Sequence, residues 1–147
     1  FYLLFSNNNR SLFFYDTGVA TSLLKIAGPE QLFTHYMYGS LFENLVVSEI
    51  IKTCQHLGKQ YSIYYWRESN GTEIDCILEL TDRTIALEIK SGQTFTKDYL
   101  KNLKKFPTEK APRTFEKKVI YNGENSMRIG DIELLNWKQF PEFLKNI

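Results

Sequence analysis

The sequence predicts an α/β fold, a mixed β-sheet with helices on its faces and a hairpin-and-helix extension ahead of it. Three observations lead there. Residues 41–57 place apolar side chains at helical spacing. Residues 61–67, 73–80 and 84–90 are three β-rich runs parted by turn chemistry. A second helical stretch, 96–106, separates these from apolar runs at 118–121 and 132–137. Helix, three strands, helix, strand is the order of a sheet covered by helices.

The first elements are two aromatic-rich runs, 1–5 and 11–15, around the Asn-rich turn at 6–9, which reads as a hairpin. Asp16-Thr17-Gly18 then opens a short helix to Leu24, with Asp16 as N-cap because its carboxylate accepts from orphan backbone donors. The long helix follows Gly39-Ser40 and stops at Gly58. Ser69-Asn70-Gly71 and Thr81-Asp82-Arg83 suit turns, so the three runs between them form a meander. Pro107 ends the second helix. The tail, 139–147, is expected to be a last short helix. One domain is expected over 1–147: an extension (1–38), a core (39–106), and C-terminal strands and a helix (107–147).

With 147 residues, 43% hydrophobic and 15% aromatic, the chain buries an ordinary core, which argues against disorder. Eighteen basic and 17 acidic residues leave a net charge of +1, so a nucleic-acid or membrane partner would have to be met by a local patch. No apolar run approaches the roughly 20 residues needed to span a bilayer. Phe1-Tyr2-Leu3-Leu4-Phe5 has no basic segment before it and breaks at Ser6, unlike a signal peptide. The expected compartment is the cytoplasm, with no membrane partner. Cys54 and Cys76 are too few and too separated for a disulfide framework or a zinc site and are expected in the core. A start without Met that runs directly into apolar residues is expected of a piece of a longer protein.

Chemistry concentrates at four positions. On the long helix, Val46, Val47, Ile50, Cys54 and Leu57 form one stripe, and Glu43 projects from its middle, while Glu49, Lys52, Gln55 and His56 lie opposite. A carboxylate so placed needs a partner. In Ala86-Leu87-Glu88-Ile89-Lys90 the strand period puts Glu88 and Lys90 on one face. In the neighbouring strand, Ile74, Cys76 and Leu78 are expected on one face and Glu73, Asp75 and Ile77 on the other, which lets Asp75 stand beside Glu88. Two carboxylates and a carbonyl suit a hard cation such as Mg²⁺, and a nearby ammonium orients or deprotonates water. The plain alternative is an exposed Glu–Lys pair worth less than about 1 kcal/mol.

Glu43 in a helix, then Asp75, then Glu88-Ile89-Lys90 in consecutive strands resembles the PD-(D/E)XK nuclease superfamily, whose core is restriction-endonuclease-like. More narrowly, Gly39-Ser40-Leu41-Phe42-Glu43-Asn44, Tyr64-Tyr65-Trp66-Arg67, Glu73-Ile74-Asp75 and Glu88-Ile89-Lys90-Ser91-Gly92 resemble the C-terminal domain of unknown function of prokaryotic AAA-type ATPases, and Tyr15-Asp16-Thr17-Gly18 fits it too. The resemblance implies Asp75 and Glu88 as ligands of Mg²⁺ or Mn²⁺, Ile89 lending its carbonyl, Lys90 serving the water and Glu43 supporting the site. It also implies an upstream ATPase domain in the same chain. No Gly-x-x-x-x-Gly-Lys-[Ser/Thr] phosphate loop is present in these residues.

For a nucleic-acid partner, Arg67 follows an aromatic run that suits base stacking or phosphate contact, and Lys97, Lys101 and Lys104 share one face of the second helix. From Lys97 to Lys118 there are eight basic and three acidic residues, the one local basic patch. His35 and His56 have no sequence partner for catalysis. The expected function is a Mg²⁺-dependent nuclease-like domain acting on DNA or RNA. The alternative is a catalytically silent nucleic-acid-binding or partner-docking module of the ATPase.

Overall fold

The computed structural model describes residues 2–6, 9–68, 71–106 and 114–146. In chain order the elements are β1 (Tyr2–Ser6), β2 (Asn9–Phe13), α1 (Thr17–Leu23), α2 (Pro29–Thr34), α3 (Tyr38–His56), β3 (Tyr61–Arg67), β4 (Glu73–Leu80) and β5 (Arg83–Lys90). They continue with a 3-10 turn, Lys97–Leu100, running into α4 (Lys101–Lys105), then β6 (Thr114–Tyr121), β7 (Met127–Ile129), β8 (Ile132–Asn136) and α5 (Phe140–Lys145). The expected turn residues Asn7, Asn8, Ser69 and Asn70, the helix stop at Pro107, Lys110 and Arg113 of the basic stretch, and Ile147 of the tail lie outside the described residues.

The fold is α/β, with a six-stranded mixed sheet flanked by helices in the order β3-β4-β5-β6-β8-β7. The β3–β4–β5 meander is antiparallel, β6 joins β5 in parallel, β8 joins β6 in parallel, and β7 returns antiparallel to β8. β1 and β2 pair as a separate antiparallel hairpin. Asp16 caps α1 as expected, its Oδ1 accepting from the Gly18 N–H at 2.7 Å.

Each face of the sheet buries its own cluster. Val46, Val47, Ile50 and Cys54 of α3 pack with Phe140 and Leu144 against Cys76, Leu78, Ile85, Leu87 and Ile89. On the opposite face Leu100 and Leu103 pack against Ala86, Val119, Tyr121, Ile132 and Leu134. β5 is thus buried on both sides, as a strand with parallel pairing and helices above and below is expected to be.

Several expectations need correction. Leu57 is not in the α3 stripe; it is the helix C-cap and 40% exposed. Nor does Ile74 share a face with Cys76 and Leu78, for it packs in the opposite cluster. The cause is a β-bulge: Tyr64 pairs with Ile77 but Trp66 with Ile74, so Asp75 and Cys76 together oppose Tyr65 alone, and the alternation slips by one. The second helix is shorter than 96–106, its first turn being 3-10. α2 and β7 were not foreseen, and β6 starts at Thr114, four residues before the apolar run that marks it.

The hairpin-and-helix extension is fastened to the core by Asn44. Its Oδ1 accepts from the Phe14 N–H at 2.6 Å and its Nδ2 donates to the Phe14 carbonyl at 3.0 Å, so a buried amide completes the backbone where β2 ends. Asn44→Ala strands both Phe14 groups, at about 1–3 kcal/mol for a buried polar group left unpaired. We expect faster amide exchange and easier proteolysis at Phe13 to Tyr15 than in the sheet.

Candidate metal and active site

The sheet opens where the acidic residues stand. Pairing between β4 and β5 reaches Cys76 and Leu87 and goes no further, although the register would bring Asp75 opposite Glu88. Beyond that point the Asp75 side chain replaces the missing strand: its Oδ2 accepts from the Ile89 N–H at 2.7 Å. The bulge that displaces Ile74 therefore also aims Asp75 across to β5, a known use of bulges beside functional sites.

Lys90 Nζ lies 3.5 Å from Asp75 Oδ2 and 3.5 Å from Glu88 Oε2. These are charge contacts at the outer limit of hydrogen bonding, not tight bonds. Burial is graded, the side chains being 1% exposed for Glu88, 17% for Asp75 and 32% for Lys90, so the acids form the floor and the ammonium the mouth. Asn102 Nδ2 donates to Glu88 Oε1 at 2.8 Å from α4, which fixes the deepest carboxylate. Asn102 was missed in the sequence. Its signal was its place at helical spacing between Tyr99 and Phe106, a polar residue in an apolar stripe.

Burial, and next the charge of Asp75, push the Glu88 carboxyl up to about 8. Glu43 is raised to about 7, first by burial and then by Asp75, with Lys90 opposing and Glu73 adding to the rise. Glu43 is half-buried and within electrostatic reach of Asp75 and Lys90. Burial pulls the Lys90 ammonium down, but Asp75 and Glu88 outweigh it and hold it above the ordinary lysine value. Excess negative charge in a partly desolvated site is what a bound cation relieves.

The donor set can be tested against a divalent metal. No group of three His, Cys, Asp or Glu side chains able to hold a metal ion is found among the described residues. That disfavours the closed tetrahedral cage of a structural zinc. Two carboxylates with a main-chain carbonyl fit Mg²⁺ or Mn²⁺, which keep several waters and need few protein ligands.

The residues expected to meet nucleic acid are not gathered with this cluster. Arg67 Nε is paired with Glu73 Oε1 at 3.3 Å, and Glu73 also accepts from the Tyr65 hydroxyl at 2.5 Å, so Arg67 is braced at the sheet end. Lys97, Lys101 and Lys104 are all exposed on the 3-10 turn and α4, the element that supplies Asn102. Cys54 and Cys76 are free and buried, as expected of core residues. Among the described residues no helix is long and apolar enough to cross a membrane.

Fold and site together define a helix-flanked mixed-sheet domain with an acid–acid–lysine cluster where two strands part. The chain belongs to the family described as a domain of unknown function (DUF4143), whose profile matches residues 38–140. The match begins with α3 and takes in Glu43, Asp75, Glu88, Lys90 and Asn102. No curated protein matches the chain.

Proposed function

We propose that this is a metal-dependent nuclease-like domain of PD-(D/E)XK type, hydrolysing phosphodiester bonds in DNA or RNA as part of a larger AAA-type ATPase. The observation that carries the reading is the convergence of Asp75, Glu88 and Lys90, with both carboxylates 3.5 Å from one ammonium at the point where β4 and β5 separate. Asp75, Glu88 and the Ile89 carbonyl would hold Mg²⁺ or Mn²⁺. Such an ion polarises a phosphoryl oxygen and lowers the pKa of water. Asn102 keeps Glu88 from rotating away. Lys90, at the mouth, holds a water or phosphate oxygen and offsets the charge that develops on the phosphate. Glu43 tunes the charge balance from α3. Lys97, Lys101 and Lys104 give phosphates an exposed basic face beside the Asn102 helix.

A second reading rests on the Asp75–Ile89 bond. An aspartate already used to complete a strand end also serves a catalytically silent module that binds nucleic acid or docks a partner. Supercoiled-plasmid and oligonucleotide cleavage with Mg²⁺ or Mn²⁺ separates the two. We expect nicking by the native chain and at least about 100-fold less by Lys90→Ala, the scale of one positioned proton-transfer or charge-stabilising group. Equal nicking by both would exclude the assignment, and none by either would favour the silent module.

A further inference from the structure

We infer that a cleft of about 400 Å³ near the C-terminal end of β5, walled by Phe33, Tyr38 and Trp137 and edged by Gln93, Asn122 and Lys138, takes a nucleobase of a single strand whose phosphate lies at Asp75 and Glu88. The inference rests on the nuclease reading above and adds the form of the substrate.

Position comes first. The Asn122 N–H donates to the Lys90 carbonyl at 3.2 Å, so the cleft shares the end of β5 with the site. Tyr38 opens α3, the helix that carries Glu43.

The chemistry of the lining is selective. Its walls are aromatic: Phe33 meets Tyr38 edge-on at 5.5 Å and is itself 62% exposed. Trp137 stands edge-on to Phe42 at 6.2 Å, with Lys138 Nζ 5.8 Å from its ring centre. The rim carries amides. Asn122 Oδ1 accepts from Trp137 Nε1 at 3.1 Å and its Nδ2 donates to the Tyr38 hydroxyl at 3.3 Å, which locks its orientation. An amide nitrogen has two donors, so one N–H of Asn122 stays uncommitted among the described residues. The exposed Gln93 side chain makes no hydrogen bond among them. Planar walls suit a ring, and Asn and Gln amides match the donor–acceptor edge of a base. No carboxylate is among the residues that line the cleft, and Lys138 supplies a cation, so a phosphate-bearing ligand is not repelled. The volume lies within the roughly 300–1,000 Å³ of ligand pockets.

The test uses Trp137 as the reporter. Only two tryptophans are present, so Trp66→Phe leaves Trp137 as the sole indole. This protein is titrated, with Ca²⁺ in place of Mg²⁺ so that the carboxylates are neutralised, with a short single-stranded DNA or RNA oligonucleotide and separately with mononucleotides. We expect a saturable change in Trp137 emission with the oligonucleotide and a much weaker one with mononucleotides. Phe33→Ala, at an exposed ring where folding is not at stake, should weaken oligonucleotide binding by roughly 5- to 100-fold, the worth of one stacked base. Oligonucleotide bound or cut with Trp137 silent and Phe33→Ala unaffected overturns the cleft while leaving the nuclease reading. A Trp137 response with no Mg²⁺-dependent cutting supports the cleft and overturns that reading. No binding and no cutting overturns both.

Discussion

Calorimetric titration with Mn²⁺ is expected to show binding by the native domain and none by Asp75→Ala or Glu88→Ala. Each substitution removes a charged oxygen from a site with two carboxylates and one carbonyl, too few to lose one. The fold should survive, because the carboxyl removed in Glu88→Ala is one whose ionised form burial already disfavours, although Asn102 loses its acceptor, and Asp75→Ala removes the bond to the Ile89 N–H and the contact with Lys90. The expected pattern is therefore lost metal affinity with thermal unfolding lowered by roughly 3–10 °C, comparable to about 1–3 kcal/mol in a domain of this size. Unchanged Mn²⁺ affinity in both variants would refute the metal-site assignment.

Glu43→Gln is expected to change the pH dependence of stability. The folded protein raises the Glu43 carboxyl from 4.5 to about 7, through burial first and then Asp75. A raised acid contributes stability that is fully present below its unfolded pKa and is lost as pH rises through the folded one. The metal-free native protein should thus lose stability between about pH 5 and pH 8, with the part due to Glu43 no more than about 2 kcal/mol once its partial exposure to water is allowed for. Gln cannot ionise, so Glu43→Gln should be the more stable protein at pH 8 and close to the native at pH 5. With Mn²⁺ the order should reverse, because a supporting carboxylate of this kind is worth about 10- to 100-fold in metal affinity. Parallel melting curves across the pH range would show that Glu43 is solvated and not coupled to the cluster.

The legible parts of this molecule were those written in period and turn chemistry. The α3 stripe, the β3–β4–β5 meander and the Asp16 cap each follow from residues close in sequence, and the ledge of Glu88 with Lys90 follows from the strand period alone. What was illegible depends on slips and distant partners. The bulge at Asp75 and Cys76 leaves no mark in composition, yet it moves Ile74 to the opposite face and turns Asp75 toward β5. β6 was read four residues short because Glu116 and Lys117 look solvated. In fact the Lys117 side chain is only 10% exposed and paired with Asp131 at 3.1 Å, which no local pattern announces. Asn102 carries little local mark of its role either, because it sits between the solvated Lys101 and Lys104 and its partner Glu88 belongs to another element.

The parallel pairing of β5 with β6 also bears on the order in which the site is made. The meander joins sequence neighbours through short turns, so Asp75 and Lys90 can meet early in folding. Thr114 reaches its place opposite Arg83 only after the whole crossover containing α4 has been closed, a non-local step that carries a loop-closure cost. Until then the β5 strand that carries Glu88 has an open edge in reach of water. Tight metal uptake during refolding is therefore expected to follow the slow burial of β5 and not the fast growth of the hairpins.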